Sequence, residues 1–115
     1  MKKVEGGEVA ESLHVITVFE SMPGRTAEAL ALARQIGHRL STSPGALQVQ
    51  LLQGLHQPDH LEVISTWESA DAYERAWQSP GLVAARREME QLLASPIDDR
   101  LHHAMPETAA GRSGD

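Results

Sequence analysis

The chain has 115 residues, room for one modest hydrophobic core, and a domain of this size buries about two thirds of its unfolded surface. It contains no cysteine, which removes disulfides, thiolate nucleophiles and cysteine-based metal sites. Its formal charge is −6 and no basic run exceeds Arg86-Arg87, so the patch that neutralises nucleic-acid phosphates is missing. Aromatic residues make up only 3%, which makes Phe19, Trp67, Tyr73 and Trp77 worth locating individually. At the start, Met1-Lys2-Lys3 resembles a signal peptide, but Val4-Glu5-Gly6-Gly7-Glu8 puts charge and glycine where an apolar segment should stand. No stretch approaches the length of a membrane span. A soluble, cytoplasmic protein is expected.

Residues 1–11 and 106–115 are polar and glycine-containing, and both are expected to be flexible tails around a domain at 12–105. From Leu13 to Glu20 the run Val15-Ile16-Thr17-Val18-Phe19 predicts a strand, closed by Pro23-Gly24. Thr26 is the expected cap of a helix with Ala29, Leu32 or Ala33, Ile36 and Leu40 at helical spacing. Pro44 should stop it, because the residue before proline is pushed out of the helical region. The strand predicted over Ala46–Gln53 alternates, with Leu47, Val49 and Leu51 on a dry face and Gln48 and Gln50 on a polar one.

After a loop with Gly54, Pro58 and Asp59, a third strand is predicted over His60–Trp67, and the short connection favours antiparallel pairing. Ser69 then suits the cap of a helix, with Asp71 favourable near its positive end. Ser79-Pro80 repeats that logic, with serine as cap and proline at the first helical position. The following helix should bury Leu82, Ala85, Met89, Leu92 and Leu93. A last, less apolar strand is placed over Ile97–Met105. The resulting βαββαβ order is a ferredoxin-like α+β plan, an antiparallel sheet with helices on one face.

The junction at Leu61–Tyr73, an apolar strand ending in Trp67-Glu68-Ser69 and turning into a helix with Ala72 and Tyr73, resembles the antibiotic biosynthesis monooxygenase (ABM) domain. Met22-Pro23-Gly24, Ser43-Pro44-Gly45 and Gln78-Ser79-Pro80 agree with it in order and spacing, over about residues 13–105. The resemblance implies a dimeric α+β barrel in which two sheets pack face to face as a homodimer, each protomer keeping a pocket between sheet and helices. It also implies oxidation of a small aromatic substrate (a phenol, hydroquinone or anthrone-like polyketide) by O2, with neither flavin nor metal. Such a site must be dry and must stabilise the substrate anion. Matched to the family, Trp67 is the strand-end tryptophan, Tyr73 a pocket tyrosine, and Arg86 or Arg87 a pocket arginine.

Counting from Trp67 selects Arg87 and counting from Pro80 selects Arg86. Helical geometry favours Arg86, at the edge of the Leu82/Met89 stripe. Val63 stands where polyketide-oxidising members carry asparagine, which leaves a non-catalytic aromatic-ligand binder as an alternative. Structural roles are also open: Trp67 as core filler, Arg86 snorkelling or paired with Glu90, and Trp77 packed at the Ser79-Pro80 turn. A haem-binding or haem-degrading relative is a further alternative, but no histidine lies between His60 and His102, so the axial ligand is lost. The six histidines, His14, His38, His56, His60, His102 and His103, show no metal-ligand spacing. His14 should neighbour His102 or His103 if the first and last strands pair.

Overall fold

In the computed structural model, residues 12–105 are described, and the two expected tails lie outside them. Four strands and three helices follow in chain order: β1 (Leu13–Glu20), α1 (Thr26–Ser41), β2 (Ala46–Gln53), β3 (His60–Trp67), α2 (Ala70–Gln78), α3 (Pro80–Glu90) and β4 (Asp98–His103). The strands form one antiparallel sheet in the order β2-β3-β1-β4. The fold is the ferredoxin-like α+β plan. β1 and β3 occupy the centre because they carry the densest β-branched and aromatic residues, and a central strand is covered along both edges.

Pairing fixes which side chains face the helices. Val15, Thr17 and Phe19 of β1 lie opposite Ser65, Val63 and Leu61 of β3 and share the inner face. Ala29, Ala33, Ile36 and Leu40 of α1 and Leu82 and Met89 of α3 close over them. Each large apolar side chain buried there contributes about 1.5–3 kcal/mol relative to exposure. The opposite sheet face has no helix. Ile16, Val18 and Ile64 form its middle, flanked by His14, Glu20, His60, Glu62, Thr66 and Arg100.

Several local expectations are corrected. β2 has a bulge between Ala46 and Gln48, so Ala46, Val49 and Leu51 take the inner positions. Leu47 is the extra residue, 56% exposed rather than on a dry face. Arg25, not Thr26, flanks the start of α1, and the Thr26 hydroxyl instead binds Asp59. The Ser79 hydroxyl donates back to the Ala76 carbonyl at 2.7 Å, closing α2 rather than capping α3. α3 ends at Glu90, and Leu92 and Leu93 are buried by a turn whose backbone pairs with the end of β1 (Met22 N–H to Leu92 O, 2.9 Å; Ala94 N–H to Glu20 O, 2.7 Å). β4 is shorter than the expected Ile97–Met105, since pairing with β1 runs only from Asp98 to His103.

Gly45 ties β2 to the start of α2. Its φ is +87°, its carbonyl accepts from Glu68 N–H at 2.9 Å, and a Cβ there would lie 2.5 Å from the Ala72 Cβ. Only glycine meets both demands. The turn thereby fixes where α2 leaves the sheet, and with it the position of Tyr73.

Candidate functional site

The β3–α2 junction supplies the first part of the site. Ser65 and Trp67, two residues apart on one strand, project to the inner face, and Trp67 Nε1–H donates to Ser65 Oγ at 2.9 Å. Both are buried, and the serine satisfies an indole N–H that would otherwise be stranded in an apolar core. Ser69 caps α2 by accepting from Ala72 N–H at 3.1 Å. One residue on, Tyr73 sets its ring edge-on to Trp67, with centroids 5.8 Å apart and planes at 72°. Tyr73 is 7% exposed. Burial first, then the charge of Asp99, pushes its hydroxyl up to about 12, with Arg86 opposing. At neutral pH it is a hydrogen-bond donor, not an anion.

The second part comes from α3 and β4. Arg86 Nη2–H donates to Asp99 Oδ2 at 2.5 Å, and Asp99 Oδ1 accepts from Thr17 Oγ1 at 3.2 Å. Thr17 and Asp99 are direct cross-strand partners, so the carboxylate is aimed at the helix side of the sheet. The two ends of the ion pair are 29% and 24% exposed. The guanidinium also lies over the Trp77 ring, 4.9 Å from its centroid. Trp77 Nε1–H is buried and has no acceptor among the protein atoms. The Tyr73 oxygen is near enough to feel that N–H, but the pair does not reach hydrogen-bond geometry.

The structure thus brings Trp67, Tyr73 and Arg86 into one cluster and leaves Arg87 exposed on the far side of α3. Arg86 pairs with Asp99 and not with Glu90. Sequence reasoning missed Asp99 and the inward role of Thr17, and expected Trp77 to pack at the Ser79-Pro80 turn or, in the haem alternative, to match a tryptophan of those relatives. The available signal was Asp98-Asp99 at the opening of a strand, since alternation sends one carboxylate out, to Arg100 at 2.9 Å, and the other in. A cleft of about 460 Å³ lies beside the cluster, lined by Arg86, Glu90, Leu93, Ala94, Pro96 and Ile97 among others. It falls within the size range of small-molecule sites. Trp67 and Tyr73 do not line it, against expectation, because they pack on each other behind Arg86.

The sequence profile of the antibiotic biosynthesis monooxygenase family matches residues 12–88. The chain belongs to that family. Among solved structures, its ABM fold is similar to a conserved protein of Methanosarcina mazei (TM-score 0.79, 12% identity, 87% of this chain and 99% of that one). It is similar as well to SnoaB, a cofactor-independent oxygenase of Streptomyces nogalater (TM-score 0.73, 21% identity, 83% and 94%). A putative antibiotic biosynthesis monooxygenase of Nitrosomonas europaea gives a TM-score of 0.78 at 11% identity, over 84% and 93% of the two chains. At these identities the likeness is one of fold. Comparison with curated proteins gives no match.

Away from the cleft, the open face of the ABM sheet holds a second polar cluster. His60 sits between two carboxylates, Nδ1 at 2.6 Å from Glu20 and Nε2 at 2.7 Å from Glu62. The hydrogen bond to Glu62, then that to Glu20, raises its pKa. His14 is the cross-strand partner of His102. Among the described residues no three His, Asp or Glu side chains are arranged to hold a metal ion, and no helix is long and apolar enough to cross a membrane.

Because the folded-state pKa of His60 is raised, the cluster's contribution is fully present below the unfolded value of about 6.5 and is lost as pH rises through the higher folded value. The three side chains are 27%, 42% and 28% exposed, so the effect is below about 1 kcal/mol. Calorimetry is expected to find Tm falling as pH rises above about 6.5. His60→Gln should lack that component, and parallel curves for the two proteins would assign the slope to other groups.

Proposed function

We propose that this chain oxidises a small aromatic reductant, a hydroquinone, phenol or anthrone-like polyketide, with O2, and that the Arg86–Asp99 pair beside Tyr73 is where the substrate's oxygen binds. The observation that carries the reading is a cation, a carboxylate and a protonated tyrosine gathered in one cluster, whose Arg86 reaches the wall of a cleft of about 460 Å³. In this scheme the substrate hydroxyl gives its proton to Asp99 while Arg86 and the Tyr73 O–H hold the resulting anion. The anion passes an electron to O2, the carbon–oxygen bond forms, and loss of water leaves a carbonyl. For a methylene carbon the balance is CH2 plus O2 to C=O plus H2O, with all electrons supplied by the substrate. Trp67 buttresses Tyr73, its own N–H being taken by Ser65.

Magnitudes narrow the substrate class. An ordinary phenol, of pKa about 10, is protonated at neutral pH. A guanidinium about 4 Å from the phenolate stabilises it by about 4 kcal/mol at an effective dielectric of about 20, and a conjugated carbonyl acidifies the hydroxyl further. A haem reading is not supported, because neither α2 nor α3 carries a histidine to serve as axial ligand. A non-catalytic binder is favoured by one observation, that Val63 places a wholly buried apolar side chain where polyketide-oxidising members have asparagine.

Oxygen uptake by metal-stripped protein on a panel of hydroquinones, naphthols and anthrones decides between enzyme and binder. On an accepted substrate, Tyr73→Phe is expected to lower turnover about tenfold or more, since one preorganised donor is removed. No uptake on any substrate, with binding retained, favours the binder.

The functional unit in this reading is a homodimer formed through the open sheet face, whose apolar middle is Ile16, Val18 and Ile64. The protomer mass is 12.5 kDa, and sedimentation is expected to give twice that at micromolar concentration. Ile64→Lys should give the monomer. A wild-type monomer would exclude the dimer.

A further inference from the structure

The cleft beside Arg86 has a second charged group on its wall. Glu90 lines it one helical turn beyond Arg86, and at that spacing two Cβ atoms stand about 5–6 Å apart, roughly the width of an aromatic ring. The i,i+4 ion pair that this spacing offers is not made. Arg86 turns to Asp99, and among the described residues no ion pair or side-chain hydrogen bond involves Glu90. Glu90 is also the last residue of α3, where its charge meets the negative end of the helix dipole. Neither pairing nor helix stability accounts for a carboxylate there. Among the described residues of the cleft wall it is the one carboxylate: Arg86 is a permanent cation, and Leu93, Ala94, Ser95, Pro96 and Ile97 have no basic side chain.

We propose that Glu90 is a catalytic base for the second half of the oxidation, taking the proton whose loss turns the oxygenated carbon into a carbonyl. The inference rests on the reading of the Arg86–Asp99 cluster as the substrate site. When the anion of an anthrone adds O2 at its methylene carbon and Asp99 returns its proton to the peroxide, that carbon carries one hydrogen and one hydroperoxyl group. The C–H proton then passes to Glu90, its electron pair forms the C=O bond, and the O–O bond breaks to release hydroxide. Glu90 gives the proton to the hydroxide, which leaves as water. Atoms and electrons balance with no further reactant. Asp99 is badly placed for this step, because it is held beside Arg86 at the oxygen end and does not line the cleft. The Tyr73 hydroxyl, pushed up to about 12, is itself protonated. In an anthrone the oxygen and the methylene carbon stand at opposite corners of one ring. With the oxygen at Arg86, a ring lying along α3 brings that carbon beside Glu90.

The test uses full-length protein with dihydroxyanthrone as substrate, and follows O2 consumed and quinone formed, each after subtraction of the protein-free rate. Wild type should form as much quinone as it consumes O2. Glu90→Gln is expected to consume O2 within about twofold of wild type but to form about tenfold less quinone, at the low end for a lost general base because water reaches this exposed position. The missing product should be a hydroperoxide, caught by acid quench and seen by mass spectrometry as substrate plus O2. Glu90→Asp keeps a carboxylate and should restore part of the quinone. The Tm of Glu90→Gln should be no lower than that of wild type, since a charge opposing the helix dipole has gone. O2 and quinone falling in equal proportion, or neither falling, overturns the role of Glu90 and leaves the cluster as a site. If wild type does not oxidise dihydroxyanthrone, the site reading fails for this class of substrate and the inference falls with it.

Discussion

Arg86→Gln is expected to produce the largest loss of activity of any single change, about 100-fold in turnover on an accepted substrate, the scale of one lost transition-state donor. The substitution removes the cation proposed to hold the substrate anion and takes the Arg86 hydrogen bond from the Asp99 carboxylate, which keeps that from Thr17. The pH at which oxidation becomes fast should rise, because the substrate hydroxyl is no longer acidified by a neighbouring positive charge. Tyr73 is moved in the same direction: Arg86 opposes the upward shift that burial and Asp99 impose, so its removal raises the hydroxyl further. The protein should also lose about 1–3 kcal/mol of stability, the ordinary value of a charge-assisted hydrogen bond whose partners are mostly buried. Arg87→Gln is the control. Its side chain is exposed, so stability should change by no more than about 0.5 kcal/mol and the pH profile should stay in place. Rates measured across pH for wild type and the two variants decide between the arginines, and a profile that moves with Arg87 instead would transfer the role to that residue.

Trp67→Ala should produce the largest loss of stability. The side chain is fully buried, and truncating such an aromatic costs about 3–5 kcal/mol. The edge-on contact with Tyr73 disappears with it, and the Ser65 hydroxyl loses the N–H that it accepts. At about 4–8 °C per kcal/mol for a domain of this size, Tm should fall by more than about 12 °C. Trp67→Phe separates packing from chemistry. It keeps an aromatic wall behind Tyr73 but leaves Ser65 Oγ without its partner, so thermal unfolding should show a loss of about 1–2 kcal/mol. The pH profile of oxidation should not move, because the Trp67 N–H is bound to Ser65 and does not face the cleft. A Trp67→Phe variant of unchanged Tm but altered pH profile would mean that the indole acts on the substrate directly.

Much of the framework was legible in the chain by itself, because it follows from short-range physics. Alternation in β1 and β3, the Pro23-Gly24 and Pro44-Gly45 breaks, and the Ser69 cap each act within a few residues, and the corresponding elements stand where that reading put them. The family was legible for the same reason, since Trp67-Glu68-Ser69 and the turns around it are local patterns. Even the preference for Arg86 over Arg87 needed only the helical period. What local pattern could not supply was partnership across the sheet. The bulge that turns Leu47 outward is a mismatch between β2 and β3, visible only once the two are aligned. Asp99 joins the candidate site because β4 pairs with β1 in the register that sets it against Thr17, 82 positions away, and beside Arg86 on a helix that neither strand encodes. A shift of that register by one residue would have sent Asp98 inward and Asp99 to the open face. Strand period fixes which residues alternate; which set faces the core, and which charge meets which, is decided by pairing free energies summed over the whole sheet.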